Sequence, residues 1–150
     1  MFRSEWIVGE RTVSGAIYRY DGRMDFLSDS VQKRILVVDD NVDAANLTAE
    51  LLNILGFSAQ AVHDGHRAVE LARHSLPNIV IADLGMPYMD GFQVARALRE
   101  LPGASSLRIV ALTGWNDRST RARVIECGFD DHLTKPATID ALLATIGHST

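Results

Sequence analysis

The chain reads as an α/β protein built on a doubly wound, five-stranded parallel sheet with helices on both faces. Three observations predict this. From Lys33 onward, short β-branched apolar runs alternate five times with segments whose apolar residues recur at helical spacing. The connections are short and each strand is followed by a helix, which demands right-handed parallel crossovers rather than hairpins. Acidic, hydroxyl or lysine residues stand at the carboxyl ends of the strong strands, the edge where parallel α/β sheets gather their chemistry.

Each element follows from local chemistry. Arg34-Ile35-Leu36-Val37-Val38 is a buried strand. Val42 to Leu55 is a helix with Leu47, Leu51, Ile54 and Leu55 at helical spacing, closed by Gly56. Phe57 to Val62 is a weaker, more polar strand, as suits a sheet edge. Asp64-Gly65 starts a helix through His74, with Ala68, Val69, Leu71 and Ala72 on its inner face. Asn78 to Ala82 is the third strand and ends at Asp83; Gly85 and Pro87 then break regular structure. Asp90 to Leu101 is a third helix, amphipathic through Phe92, Val94, Ala95 and Leu98, and Pro102-Gly103 stops it. Leu107 to Leu112 is strand four, Asn116 to Cys127 a helix with Arg-rich outer positions, and Asp131 to Thr134 strand five. Thr138 caps a last helix to about Ile146. Five strands with a weak second one fit the flavodoxin-like order 2-1-3-4-5.

Residues 1–32 are of another kind. Trp6 to Val13 suggests a small hairpin about Gly9-Glu10, Ala16, Tyr18 and Tyr20 alternate with other residues, and Asp21 to Ser30 is polar and turn-rich. The segment carries no chemical motif. A docking or dimerising arm, a mobile tail and an upstream start preceding Met24 all fit it.

Composition narrows the function. The 150 residues suffice for one domain with a proper core, and 47% hydrophobic with 23% charged residues is ordinary for a globular protein. A net charge of −4 argues against a broad nucleic-acid-binding surface. The single Cys127 precludes an internal disulfide and reads as a small core residue. With neither a membrane-length apolar run nor a secretory leader, a cytoplasmic protein with no membrane partner is expected.

The strand ends carry the chemistry. Strand one ends in Asp39 and Asp40, strand three in Asp83, strand four in Thr113 and strand five in Lys135. In the order 2-1-3-4-5 these side chains meet in one crevice. Two like charges ~4 Å apart cost about 4 kcal/mol at an effective dielectric near 20, and a hard divalent cation removes that cost. Oxygen-only ligands with room for water suit Mg²⁺. Lys135 and Thr113 are the groups that phosphoryl oxygens need. A salt-bridge cluster around Lys135 would leave three acids for one cation.

Leu36-Val37-Val38-Asp39-Asp40-Asn41, Asp83 with Met86-Pro87 and Asp90-Gly91, Ala111-Leu112-Thr113-Gly114, and Lys135-Pro136 together resemble the receiver domain of two-component response regulators, of the type associated with hybrid histidine kinases. The resemblance runs from about Lys33 to Gly147, so 33–150 is expected to be the receiver and 1–32 an extension. It implies that Asp83 accepts a phosphoryl group from a phosphohistidine on a histidine kinase or histidine phosphotransfer protein. It further implies that Asp40, Asp83 and the Gly85 carbonyl hold Mg²⁺, with Asp39 acting through a water, and that Thr113 and Lys135 bind the phosphoryl oxygens. Lys135-Pro136 would be cis. Thr113 and the residue three before the Lys form the switch; that residue is usually Tyr or Phe and here is His132, whose imidazole adds pH sensitivity. Gly85 and Trp115 flank the path of a hydrolytic water and would tune how long the phosphorylated state lasts. The other histidines, His63, His66, His74 and His148, fall on expected surfaces.

The expected function is a stand-alone receiver that promotes its own phosphorylation and dephosphorylation but is not a metabolic enzyme. Its output would pass through a protein bound at the fourth helix, fifth strand and fifth helix, with homodimerisation left open. Two alternatives stand beside it. One is a degenerate receiver serving only as an interaction module. The other is a phosphatase with an Asp nucleophile, but such enzymes carry Asp-x-Asp after strand one, which Asp39-Asp40-Asn41 lacks. A nucleotide-binding module is disfavoured because the chain has neither a Gly-x-Gly-x-x-Gly nor a P-loop Lys.

Overall fold

The computed structural model describes residues 11–13, 16–18, 24–26, 32–114 and 117–147. The chain divides between Lys33 and Arg34 into two units. In the first, β1 (Arg11–Val13), β2 (Ala16–Tyr18) and β3 (Met24–Phe26) form an antiparallel sheet in that order, with Val13 opposite Ala16 and Tyr18 opposite Met24. The hairpin expected about Gly9-Glu10 lies outside the described residues. The stretch expected to be turn-rich contains β3, whose Met24-Asp25-Phe26 alternates at the period of a strand.

The second unit is the five-stranded parallel sheet. Its strands are β4 (Arg34–Val38), β5 (Ser58–Val62), β6 (Ile79–Asp83), β7 (Arg108–Thr113) and β8 (Asp131–Thr134), in the order β5-β4-β6-β7-β8. That is 2-1-3-4-5 counted within the unit, with the weak strand at an edge as expected. The helices are α1 (Val42–Ile54), α2 (Gly65–His74), α3 (Gly91–Arg99), α4 (Arg118–Glu126) and α5 (Ile139–Gly147), with a 3₁₀ turn at Ala104–Ser106.

The sheet has a core on each face. Leu36, Val38, Val80, Ala82, Ile109 and Ala111 pack towards α2, α3 and the residues around α4, while Ile35, Val37, Ile79, Ile81, Val110 and Leu112 pack towards α1 and α5. Alternation within each strand produces this division, and fully burying one such side chain is worth about 1.5–3 kcal/mol.

Helix ends follow the caps. Asn41, Asp64, Asp90 and Asp117 each accept the backbone N–H three residues on, and Asp90 and Gln93 complete a reciprocal capping box. Asp117 therefore sets the start of α4 at Arg118, later than the expected Asn116. The third helix stops at Arg99, short of the expected Leu101, because Pro102 disfavours helical backbone in the residue before it.

The apolar residues at helical spacing in α1 are not all buried: Leu47 is 57% and Ile54 76% exposed, whereas Ala45, Ala49 and Leu52 are buried. Small residues let this helix lie close on the sheet.

Candidate functional site

The site is assembled by main-chain bonds that run one residue past the strand ends. The Asp39 N–H donates to the Val62 carbonyl at 3.1 Å, Leu84 to Leu112 at 3.1 Å, and Lys135 to Thr113 at 2.7 Å. Each ladder thus carries its next residue to the same carboxyl edge. Asp39 is 2% exposed, Asp83 7% and Thr113 1%, while Asp40 is exposed. The peptide bond between Lys135 and Pro136 is cis.

Three carboxylates meet there. Asp39, Asp40 and Asp83 each offer an oxygen, and these oxygens lie within 4.8 Å of one another. Lys135 Nζ stands 3.0 Å from Asp83 Oδ1 and 3.7 Å from Asp39 Oδ2. The Gly85 N–H donates to Asp83 Oδ1 at 3.2 Å and the Asn41 N–H to Asp39 Oδ1 at 3.0 Å, which fixes both carboxylates from the main chain.

Electrostatics match this crowding. Burial, joined by the neighbouring Asp83 charge, raises the Asp39 pKa above its ordinary value despite the bond from Asn41. Partial burial works against the Lys135 charge, but its bonds and attraction to Asp83 and Asp39 prevail and raise its pKa. Three acids against one Lys is a net negative, oxygen-only cradle, and its donor set fits a hard divalent cation.

The backbone below is equally specific. A Cβ on Gly91 would lie 2.5 Å from the Asp83 carbonyl oxygen, so the first turn of α3 packs against the strand end only because position 91 is glycine.

Of the sequence-predicted residues, Asp39, Asp40, Asp83, Gly85, Thr113 and Lys135 converge on this edge. His132 sits on β8 opposite Ala111 of β7, half-buried, and lines a cavity of about 290 Å³ with Arg121, Val124, Ile125, Phe129 and Asp131. Trp115 and His148 lie outside the described residues. His66 and His74 are exposed, but His63 is half-buried with Nε2 3.3 Å from Asn46 Oδ1. Cys127 is in the core, 3% exposed.

Sequence reasoning missed three features. Arg99 donates to the carbonyls of Gly128, Ala104 and Leu107 and to Asp130 Oδ2 at 2.6 Å, tying α3 to the segment that leads into β8. Asn53 bonds both the N–H and the carbonyl of Ala59 on edge strand β5. Beside Asp39 and Lys135 a mostly apolar cavity of about 430 Å³ opens between α1 and α5, lined among others by Leu47, Leu51, Pro136 and Leu142. None had a residue pattern to announce it.

Comparison with known proteins bears on the same edge. Residues 35–147 match the family model of the response regulator receiver domain. An uncharacterised 14.6 kDa protein of Leptolyngbya boryana is 36% identical over 70% of this chain and 80% of its own length. The response regulator MprA of Mycobacterium avium is 35% identical over 74% of this chain and 48% of its own length, so the chain spans about half of that regulator. Among solved structures, the receiver domain of the sensor histidine kinase PA1611 from Pseudomonas aeruginosa, with a magnesium ion coordinated in its active-site cleft, has a TM-score of 0.71 and 27% identity over 77% of this chain and 95% of its own. With the sheet order, the carboxylate crevice and a match across 35–147 in agreement, this chain belongs to the response regulator receiver family, whose general function is phosphorylation-dependent signalling.

Proposed function

We propose that Asp83 is the phosphoacceptor of a Mg²⁺-dependent receiver that signals through a separate protein partner. The observation that carries this reading is Lys135 Nζ 3.0 Å from Asp83 Oδ1 within a cluster of three carboxylates. An Asp83 oxygen attacks the phosphorus of a phosphohistidine, the P–N bond breaks, and its electron pair returns to the imidazole nitrogen. Lys135 gives up its bond to the Asp83 carboxylate and holds a phosphoryl oxygen, with the Thr113 hydroxyl donating to another. Asp40, Asp83 and the Gly85 carbonyl would hold the cation, with Asp39 reaching it through a water. Bound there, Mg²⁺ would neutralise charge on the transferring group, and positioning supplies most of the remaining catalysis. The magnesium coordinated by the PA1611 receiver supports the assignment.

The donor would be a histidine kinase or histidine phosphotransfer protein. The output would be a shift of Thr113 and His132 that alters the face formed by α4, β8 and α5. Moving such a switch from 1:99 to 99:1 takes about 5.5 kcal/mol of differential stabilisation. Loss of the phosphoryl group to water makes the domain self-resetting rather than a turnover enzyme. Among the described residues no helix is long and apolar enough to cross a membrane.

The test is incubation with acetyl phosphate and Mg²⁺ followed by intact mass. One added phosphoryl group on the wild type and none on Asp83→Asn is expected. An unlabelled wild type would favour a degenerate receiver that acts only by binding.

A further inference from the structure

The cavity of about 430 Å³ between α1 and α5 falls within the range of about 300–1,000 Å³ typical of small-molecule sites. Most of its wall is apolar. Leu47 and Leu51 come from α1, Ile81 and Leu112 from the sheet, and Leu142 from α5. Leu112 and Leu142 are buried behind it, whereas Leu47 stands 57% exposed at its edge. Water is a poor occupant of such a recess, because each molecule needs about 2–4 polar partners. One end is different. Among the residues that line the cavity, Asp39 and Lys135 alone are charged, and both also face the carboxylate cluster. Asp39 is thus reached from two sides. Its Oδ1 accepts the Asn41 N–H at 3.0 Å, and its Oδ2 stands 3.7 Å from Lys135 Nζ, longer than a hydrogen bond.

The surrounding charge selects the sign of an occupant. At the polar end three carboxylates face one ammonium, which already bonds Asp83 at 3.0 Å. α1 adds Asp43 and Glu50, α5 adds Asp140, and neither helix contains a Lys or Arg. An organic anion would find one shared partner and acids on every other side. A cation finds a buried carboxylate at the end of an apolar slot, where a charge-assisted hydrogen bond is strongest. We infer that this cavity binds a small organic cation, its apolar body between Leu47, Leu51 and Leu142 and its ammonium donating to Asp39. Because Asp39 belongs to both places, the occupant and a divalent cation at the cluster oppose each other, and the opposition is reciprocal. Binding in the cavity does not depend on Asp83 being the phosphoacceptor. Only the opposition rests on the proposed metal site.

The experiment is calorimetric titration of the metal-free full chain with three probes that share one tail: octylamine, octanol and octanoate. Octylamine should bind about tenfold tighter than octanol, and octanoate should bind weakest. Asp39→Asn should bring octylamine to the affinity of octanol while leaving octanol unchanged. Ala44→Leu, at a half-buried lining position where leucine suits a helix, should fill the space and weaken octylamine and octanol about tenfold. Leu47→Gln, at an exposed position of the same wall, should weaken both by a smaller factor and keeps the test standing if Ala44→Leu unfolds the protein. Saturating Mg²⁺ should weaken octylamine several-fold and leave octanol alone. No binding by any probe, or equal binding by all three, overturns the inference. Octanoate as the tightest probe overturns it too, by giving the polar end to Lys135. Full affinity in both wall variants would place the probes elsewhere, and self-association of the wild type that Ala44→Leu abolishes would give the cavity to a second copy of this chain. Octylamine binding unmoved by Mg²⁺ would refute the shared use of Asp39. Failure of acetyl phosphate to label the wild type would remove the phosphoacceptor reading and leave the cavity result standing.

Discussion

α3 and α4 look alike on paper. Each has nine residues, each follows a central strand, and each is capped by an Asp that accepts the backbone N–H three residues on. They differ in what they bury. α3 buries Gly91, Phe92, Val94, Ala95 and Leu98, and Arg99 pins its end with four hydrogen bonds. α4 buries Val124 alone of its nine residues, leaves Ile125 73% exposed, and lays Arg123 over the Phe92 ring with 3.9 Å to the centroid. Caps and length open a helix, but the buried face decides how firmly it is held. α3 is thus held firmly beneath Asp83, whereas α4, which lies between Thr113 and β8 in the chain, is held by far less buried surface. If the proposed switch operates, the weakly held helix is where its readout is expected.

The comparison can be broken by mutation, with the largest expected effect in α3. Leu98→Ala should cost about 2–5 kcal/mol, whereas Val124→Ala should cost about 1–2 kcal/mol. Urea unfolding checks both, and a larger loss from Val124→Ala would reverse the assignment. At the reactive edge, Asp39→Asn should stabilise the metal-free protein by on the order of 1 kcal/mol, a few degrees in Tm, by removing a buried like charge. The folded pKa of Asp39 is raised, so its charge opposes folding above that pKa, and the advantage of the variant should close as the pH falls through it. Added Mg²⁺ should shrink the advantage at neutral pH by stabilising the wild type. A variant less stable than the wild type without metal would contradict the crowding.

The smallest effect concerns the start of α4. Bonds from the Thr120 backbone N–H and side chain hold the Asp117 carboxyl below its ordinary value. A depressed folded pKa gives stability that is present above the unfolded carboxylate range, near ~3.9, and lost as the pH falls through the folded value. Asp117→Ala should therefore melt lower than the wild type at neutral pH, and the gap should narrow in acid. Thermal melts from pH 7 downward read it, and a gap independent of pH would remove the carboxylate from the account.

How much of this was legible depended on the kind of signal. Strand runs ending in Asp39, Asp83, Thr113 and Lys135 are local patterns, and parallel pairing brings strand ends together whatever the loops do. The inner face of α1 was not legible in this way. Leu47, Leu51, Ile54 and Leu55 compete with Ala45, Ala49 and Leu52 at the same helical period, and only the close approach to the sheet selects the alanines. Arg99 reads as one more base in a last turn, yet its four bonds reach partners up to 31 residues away.

The most direct test of the account is hydrogen exchange by mass spectrometry, with and without acetyl phosphate and Mg²⁺, on peptides that separate Asp83, α3 and α4. The account predicts the phosphoryl group on the Asp83 peptide, slow exchange in α3 that phosphorylation leaves unchanged, and faster exchange in α4 that phosphorylation alters. A label on another peptide, or a change confined to α3 with α4 untouched, would contradict it.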